Sequence, residues 1–352
     1  MNAQSFTQTL SQTFFAIVLF CVATLISSCS SSSNDNNNSD DEPLVLQDIL
    51  DQTISYGAKG IFVYIQTADQ PAILATSGIQ NDTSGELADS RALFKIASIS
   101  KLFIAVSTIK LTHQGTLTLS DTLQDWLPEL SSRIENSEAI TIRQLLQHRS
   151  GIPDFDSQTG FSWSNSHTDI DDTLEYALDL PADFAPNERY EYSNTNYLLL
   201  GKILDRALNY DHRIYIQDTI LTPNQLFDTY SLLEEIDISL LARGYWNGND
   251  VTELSYSIPG GSMISTSENI GVFIRELATG NLLSFEERSL YREVFSSFEH
   301  SGWLPGYQSI ARYSPNLNTV IIQFMNSTGA NTEALAQENY NKLLLWVDQQ
   351  TP

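Results

Sequence analysis

Strand-like segments stand near the two ends of this chain, and most of what lies between them reads as helix. Gly60 to Thr67 and Pro71 to Gly78 have the look of strands joined by the turn Ala68-Asp69-Gln70. Ser309 to Tyr313 and Thr319 to Phe324 give the same signal close to the end. From Gly115 to about Tyr256 the patterns are mostly helical, as in Ile142 to His148, Asp172 to Asp179 and Asn194 to Leu208. Further helices are expected over Val45 to Tyr56 and Thr332 to Val347. Such an order predicts a sheet whose two halves are far apart in sequence, with the helical stretch inserted on one side.

The first 43 residues stand apart. Phe14 to Ile26 is an apolar or near-apolar run of 13 residues, the length of a signal-peptide core and short for a membrane span. Ile26-Ser27-Ser28-Cys29 follows and resembles a bacterial lipoprotein cleavage box, with Cys29 as the lipidated residue. Residues 1–28 carry no Lys or Arg, a departure from the usual charged start. The expectation is a lipoprotein-type signal peptide over 1–28 and a Ser/Asn/Asp-rich, disordered tether over 29–43. One folded domain would then run from 44 to 350, exported and lipid-anchored at the bacterial cell envelope. Cys21 and Cys29 are the only cysteines, so cleavage before Cys29 leaves no intramolecular disulfide. No Cys/His cluster or His-Glu-x-x-His motif supports a metal, and no cofactor is expected. The net charge of −25 argues against a nucleic-acid partner.

Within the domain, Ser98 and Lys101 carry the most chemistry. A serine hydroxyl needs a base before it attacks. With a helix running from Ser98 to His113, a lysine three residues on lies one turn away on the same face. A partly buried lysine loses its proton more readily. Ser98 at the helix start would also have free backbone N–H groups for a developing anion. Ser107 and Lys110 share the spacing but fall in mid-helix. The plainer alternative is a helix-capping serine with a solvated lysine.

Two further triplets follow in order: Tyr192-Ser193-Asn194 and His300-Ser301-Gly302, each with a decoy, Tyr245-Trp246-Asn247 and His113-Gln114-Gly115. With their flanks, the three motifs resemble those of serine hydrolases that include class C β-lactamases and D-alanyl-D-alanine carboxypeptidases. Leu145-Leu146-Gln147-His148-Arg149-Ser150-Gly151-Ile152-Pro153 and Pro259-Gly260-Gly261-Ser262-Met263-Ile264-Ser265-Thr266 resemble further stretches of that family, so the likeness runs from about Gly60 to Asn326.

The resemblance implies an α/β fold of the α+β type: an antiparallel sheet flanked by helices, an inserted all-helical lobe at about 115–256, and a site in the cleft between. It implies Ser98 as nucleophile, Lys101 in a shared proton network, and Tyr192 driven toward phenolate as general base. Asn194 would donate to a substrate carbonyl and accept from Lys101. His300, Ser301 and Gly302 would line the cleft on an edge strand, with Gly302 admitting substrate to the backbone. The N–H groups of Ser98 and Trp303 would form the oxyanion hole. Histidine stands at position 300 where many relatives carry lysine, which weakens carboxylate recognition there. Glu299 and Trp303 are bulkier than the family's small residues and are expected to narrow the cleft. His148 reads as structural; Arg243 and Arg312 are candidate carboxylate ligands.

The expected substrate is a small peptide, ester or β-lactam, with D-alanyl-D-alanine carboxypeptidase or esterase-like hydrolysis, of a D-Ala-type peptide amide or a small ester, ahead of β-lactamase activity. A tethered penicillin-binding sensor with little turnover is the alternative. A Ser-His-Asp hydrolase has less support, since Gly260-Gly261-Ser262-Met263-Ile264 fails the Gly-x-Ser-x-Gly pattern at its last position.

Overall fold

Central strands buried on both faces are what build this molecule in layers. The computed structural model describes residues 44–350; the segment read as signal peptide and tether, Cys29 included, lies outside them. Helix α1 (Leu46–Ser55) leads into β1 (Gly60–Thr67), β2 (Ile73–Asn81) and the short β3 (Glu86–Leu87). The chain then leaves the sheet. Among the helices that follow are α2 (Ser100–His113), α3 (Ile142–Leu146), α4 (Thr195–Leu208) and α5 (Ser267–Ala278). The sheet resumes with β4 (Glu299–Leu304), β5 (Tyr307–Ser314) and β6 (Thr319–Met325), and α6 (Thr332–Gln350) closes the domain.

The six strands lie in the order β3-β2-β1-β6-β5-β4, every pairing antiparallel. The two halves meet where β1 pairs with β6, from Ile61 opposite Met325 to Thr67 opposite Thr319. Successive side chains then face opposite layers. Phe62, Tyr64, Ile322 and Phe324 join the core that holds α2 and α5. Ile61, Val63, Ile65, Ile321 and Met325 pack with α1 and α6 through residues such as Leu50 and Leu343.

Two expectations change. Beyond Leu221 the lobe has only the one-turn 3-10 segments Leu233–Glu235 and Ile238–Leu240 among its described helices, and Thr229 to Ser265 carries the two-residue strands Thr229–Tyr230, Tyr245–Trp246, Asn249–Asp250 and Ile264–Ser265. Two residues are too few to show a period, so no strand pattern is visible there. Helix α2 is buried almost all round, Ser107 and Thr108 included, rather than along one stripe. Those two hydroxyls donate to the carbonyls one turn back, Phe103 and Ile104, which is how polar side chains sit dry inside a helix. Among the described residues no helix is long and apolar enough to cross a membrane.

Candidate active site

Ser98 does not cap α2. It sits in a 3-10 turn, Ala97–Ile99, between the two-residue strand Phe94–Lys95 and the helix. Ala97 has φ +53°, a left-handed conformation that costs a non-glycine residue of order 1 kcal/mol. The turn is fastened around that strain. Ser100 Oγ donates to Ala97 O at 2.6 Å and accepts from Met263 N at 3.2 Å, while Ser309 Oγ of β5 donates to Ile96 O at 2.9 Å. The Ser98 N–H falls in the first turn, where helical N–H groups have no partner along the helix.

Lys101 is 1% exposed and its Nζ has three acceptors: Ser98 Oγ at 3.1 Å, Asn194 Oδ1 at 2.8 Å and Gly260 O at 2.9 Å. The ammonium also lies over the rings of Tyr192 and Tyr197, 5.1 and 5.3 Å from their centroids. Burial lowers its pKa to about 7, against the opposing pull of Asp154 and Asp156. Gly260 is glycine because the lysine passes so close: a Cβ there would stand 2.8 Å from Lys101 Cγ and 2.8 Å from Tyr197 Cβ.

Tyr192 comes from the loop that opens α4, and its phenol donates to Ser98 Oγ at 3.0 Å. Ser98 Oγ thus has Lys101 on one side and Tyr192 on the other. Burial pushes the Tyr192 phenol well up, which favours the neutral phenol over the phenolate expected from the family resemblance. His148 stacks on it with ring centroids 4.3 Å apart. His148 Nδ1 accepts the Ser193 N–H at 3.2 Å, and burial keeps the imidazole neutral. It packs against the tyrosine ring.

Asn194 precedes α4 but makes no capping bond. Its Oδ1 faces Lys101, and its Nδ2 donates to Asp154 Oδ2 and Asp156 Oδ2, both at 3.2 Å. Both amide hydrogens are therefore engaged, which removes the donor expected for a substrate carbonyl. Neither aspartate was singled out in the sequence. They follow the Ser150-Gly151-Ile152-Pro153 turn, where acids look like ordinary loop residues.

The third triplet lies on β4, the edge strand, as expected. Register puts His300 opposite Ala311 and Gly302 opposite Ser309, on the Ser98 side of the sheet. Gly302 makes room for the protein itself: a Cβ would stand 2.5 Å from Ile96 O and 2.8 Å from Ala97 Cβ. His300 Nδ1 bonds Ser301 O at 2.5 Å, and burial next to Lys101 lowers its pKa to about 4, so it carries no charge at neutral pH. Glu299, Ser301 and Trp303 alternate to the other face, opposite Arg312, Ile310 and Gln308. There the Trp303 ring meets Trp246 edge-on at 6.2 Å. The pairing of Gly302 with Ser309 and of Leu304 with Tyr307 leaves the backbone N–H of Trp303 on the free strand edge. The arginines are engaged elsewhere: Arg243 with Asp250 at 2.6 Å, Arg312 with Glu299 at 4.0 Å and over the Tyr340 ring.

The decoys separate as well. Tyr245 OH accepts the Asp82 N–H at 2.7 Å, and Ser107 is enclosed in α2.

A family model described as Beta-lactamase matches residues 45–345. The chain belongs to that family. Its mixed α/β fold is of the β-lactamase type. Penicillin-binding protein 4* of Bacillus subtilis (strain 168) is 32% identical over 143 residues, 40% of this chain and 31% of that protein. The match thus spans less than a third of this relative's length. The fold is shared with D-amino acid amidase from Ochrobactrum anthropi SV3, at TM-score 0.77 and 23% identity over 87% of this chain and 99% of that one. It is also shared with a penicillin binding protein from Bacillus halodurans, at TM-score 0.71 and 19% identity over 85% of this chain and 100% of that one.

Proposed function

We propose that this protein hydrolyses a small amide or ester, of the D-amino-acyl or D-alanyl peptide kind, through an acyl-enzyme on Ser98. The observation that carries the reading is Ser98 Oγ held between Lys101 Nζ and Tyr192 OH, at 3.1 and 3.0 Å. Neutral Lys101 has two N–H donors and one lone pair. Asn194 Oδ1 and Gly260 O can only accept, so they take the two donors and the lone pair is left facing Ser98. Lys101 then takes the Ser98 proton as Oγ bonds the substrate carbonyl carbon. The oxyanion is met by the backbone N–H groups of Ser98 and Trp303. On collapse the Lys101 proton passes to the leaving nitrogen or oxygen, with the neutral Tyr192 phenol as relay. Water repeats the sequence on the ester.

Neutral His300 and the engaged Arg243 and Arg312 support a substrate without a carboxylate on its leaving group, an amide or ester ahead of a carboxypeptidase or β-lactam substrate. The D-amino acid amidase neighbour supports the same class. The likeness to penicillin-binding protein 4* supports a second reading, a penicillin acceptor that deacylates slowly. Intact mass of wild type and Ser98→Ala after a fluorophosphonate and after a fluorescent penicillin tests the nucleophile. Turnover of D-alanine amide, short p-nitrophenyl esters, D-Ala-D-Ala and a cephalosporin ranks the substrates. Labelling of Ser98→Ala would sink the assignment; a penicillin adduct that persists for hours, with no turnover of the other substrates, would favour the second reading.

Anchoring through Cys29 at the cell envelope is part of the proposal and rests on the sequence alone. Membrane-fraction protein that incorporates labelled palmitate, lost in Cys29→Ala, is the expected result; equal incorporation in both would refute it.

A further inference from the structure

The two aspartates behind Asn194 have no task in the steps above, yet they are built into the site. Thr195 Oγ1, at the start of α4, donates to Pro153 O at 2.8 Å and accepts the Phe155 N–H at 2.9 Å. Ser150 Oγ donates to Asn196 Oδ1 at 2.6 Å. The Ser150–Asp156 loop is thereby fastened to the helix start, and its two carboxyls converge on one amide. From there a single path runs inward: Asp154 and Asp156 to Asn194 Nδ2, Asn194 Oδ1 to Lys101 Nζ, and Lys101 Nζ to Ser98 Oγ. With acceptors on its nitrogen side and a donor on its oxygen side, the Asn194 amide has one satisfactory orientation.

Asp154 Oδ1 is buried and has no partner among the described residues. A carboxylate oxygen in that state carries a heavy desolvation penalty, which a neutral carboxyl largely avoids. Two carboxyls beside one another also resist full ionisation. We propose that Asp154 and Asp156 share one proton and act as a positioning pair: their single negative charge, applied through Asn194, orients Lys101 and favours its ammonium as Ser98 gives up its proton. The proposal rests on Lys101 being the base for Ser98.

The other groups around Lys101 do not compete for this role. His148 and His300 are driven down by burial and by Lys101 itself, and Tyr192 and Tyr197 are driven up by burial, so all four are neutral near pH 7. Asp154, by contrast, is raised to about 7 by burial first and by Asp156 second, and burial raises Asp156 as well. Lys101 and the carboxyl pair are thus the groups at the site that titrate in the working range.

The sign of the effect is fixed. A negative charge near Lys101 raises its pKa, so removing that charge lets Lys101 lose its proton at lower pH. It also removes stabilisation of the ammonium formed during attack. Fluorophosphonate labelling of Ser98 is followed by intact mass between pH 5 and 9 in wild type, Asp154→Asn, Asp156→Asn and the double variant. In the double variant the acid limb should move down by about one pH unit, so that below the limb it keeps about tenfold more of its own plateau rate than wild type does. The plateau itself should fall. A lower plateau with the limb unmoved means a structural role only and overturns the proposal.

A second readout needs no activity. The infrared band of a neutral carboxylic acid should be present near pH 7 in wild type and in Ser98→Ala, and absent in Asp154→Asn/Asp156→Asn. Its absence from both parents overturns the shared proton. Its presence there without labelling of wild type would leave the pair standing and sink the catalytic reading instead.

Discussion

Gly302→Ala separates two explanations of why the third triplet ends in glycine. If the residue is small to admit substrate, alanine should weaken binding of bulky substrates and leave the fold alone. The geometry says otherwise. The new Cβ would meet Ser309 Oγ on β5, Ile96 O at 2.5 Å and Ala97 Cβ at 2.8 Å, so the Ser309 hydroxyl must turn away and β4 or the Ser98 turn must retreat by about 1 Å to restore ordinary contact near 3.5–4 Å. Overpacking of that kind costs about 1–3 kcal/mol, which lowers Tm by several degrees in a domain of this size. A nucleophile displaced by about 1 Å loses about 100-fold in rate. Thermal unfolding and the rate of labelling by the smallest fluorophosphonate available are the two assays, and both should fall. Ala97→Gly removes one of the clashing atoms and suits the positive φ of that position, so it should restore part of both losses; the Ile96 O contact keeps the rescue incomplete. Wild-type Tm and labelling rate in Gly302→Ala, with only bulky substrates affected, would refute the packing argument.

Other outcomes follow from the same geometry. The labelling rate of Ser98 should rise with pH and level off above a midpoint near 7, because the neutral form of Lys101 is the active one and burial has brought its pKa to about 7; two units below the midpoint it should be about 100-fold slower, and a midpoint near 10 would contradict the buried base. Tyr192→Phe should cost about 100-fold or more in acylation, while Tyr245→Phe should lose about 1 kcal/mol of stability with its Asp82 bond and little in rate; single-turnover kinetics and thermal melts compare them. His300→Lys should raise kcat/KM for carboxylate-terminated D-Ala-D-Ala peptides by about 10-fold or more relative to neutral esters. No change in that ratio would mean that residue 300 does not face the leaving group.

What the sequence showed and hid follows from where information about packing is stored. β1 and β6 were legible because their apolar residues, Ile61 to Ile65 and Val320 to Met325 with Gln323 the one polar member, alternate between two different cores, and the helix after Ser98 because its apolar residues fill successive turns. The three motifs were legible through order and flanks, since each had a decoy of equal spacing. The Asp154 and Asp156 pair was not, because acids after a Gly-x-Pro turn look like ordinary loop residues until the fold brings Asn194 against them. Nor was the left-handed Ala97: the sequence has no mark for a strained alanine whose strain is held by Ser100 and Ser309. The sides taken by Trp303 and Glu299 were fixed by the strand period, but only once the register of β4 on β5 was known.

The junction of β1 with β6 sets a timetable for the ribosome. Ile61 to Thr67 pair with Met325 to Thr319, so an apolar strand made early must wait for one made near the end. At bacterial elongation speeds of about 20 residues per second, the interval is roughly 13 s, and slower synthesis lengthens it. Until then β1 has β2 on one side and an unpaired edge on the other, open to strands of neighbouring nascent chains. Newly made protein should therefore depend on a holding chaperone far more than the finished, antiparallel sheet does.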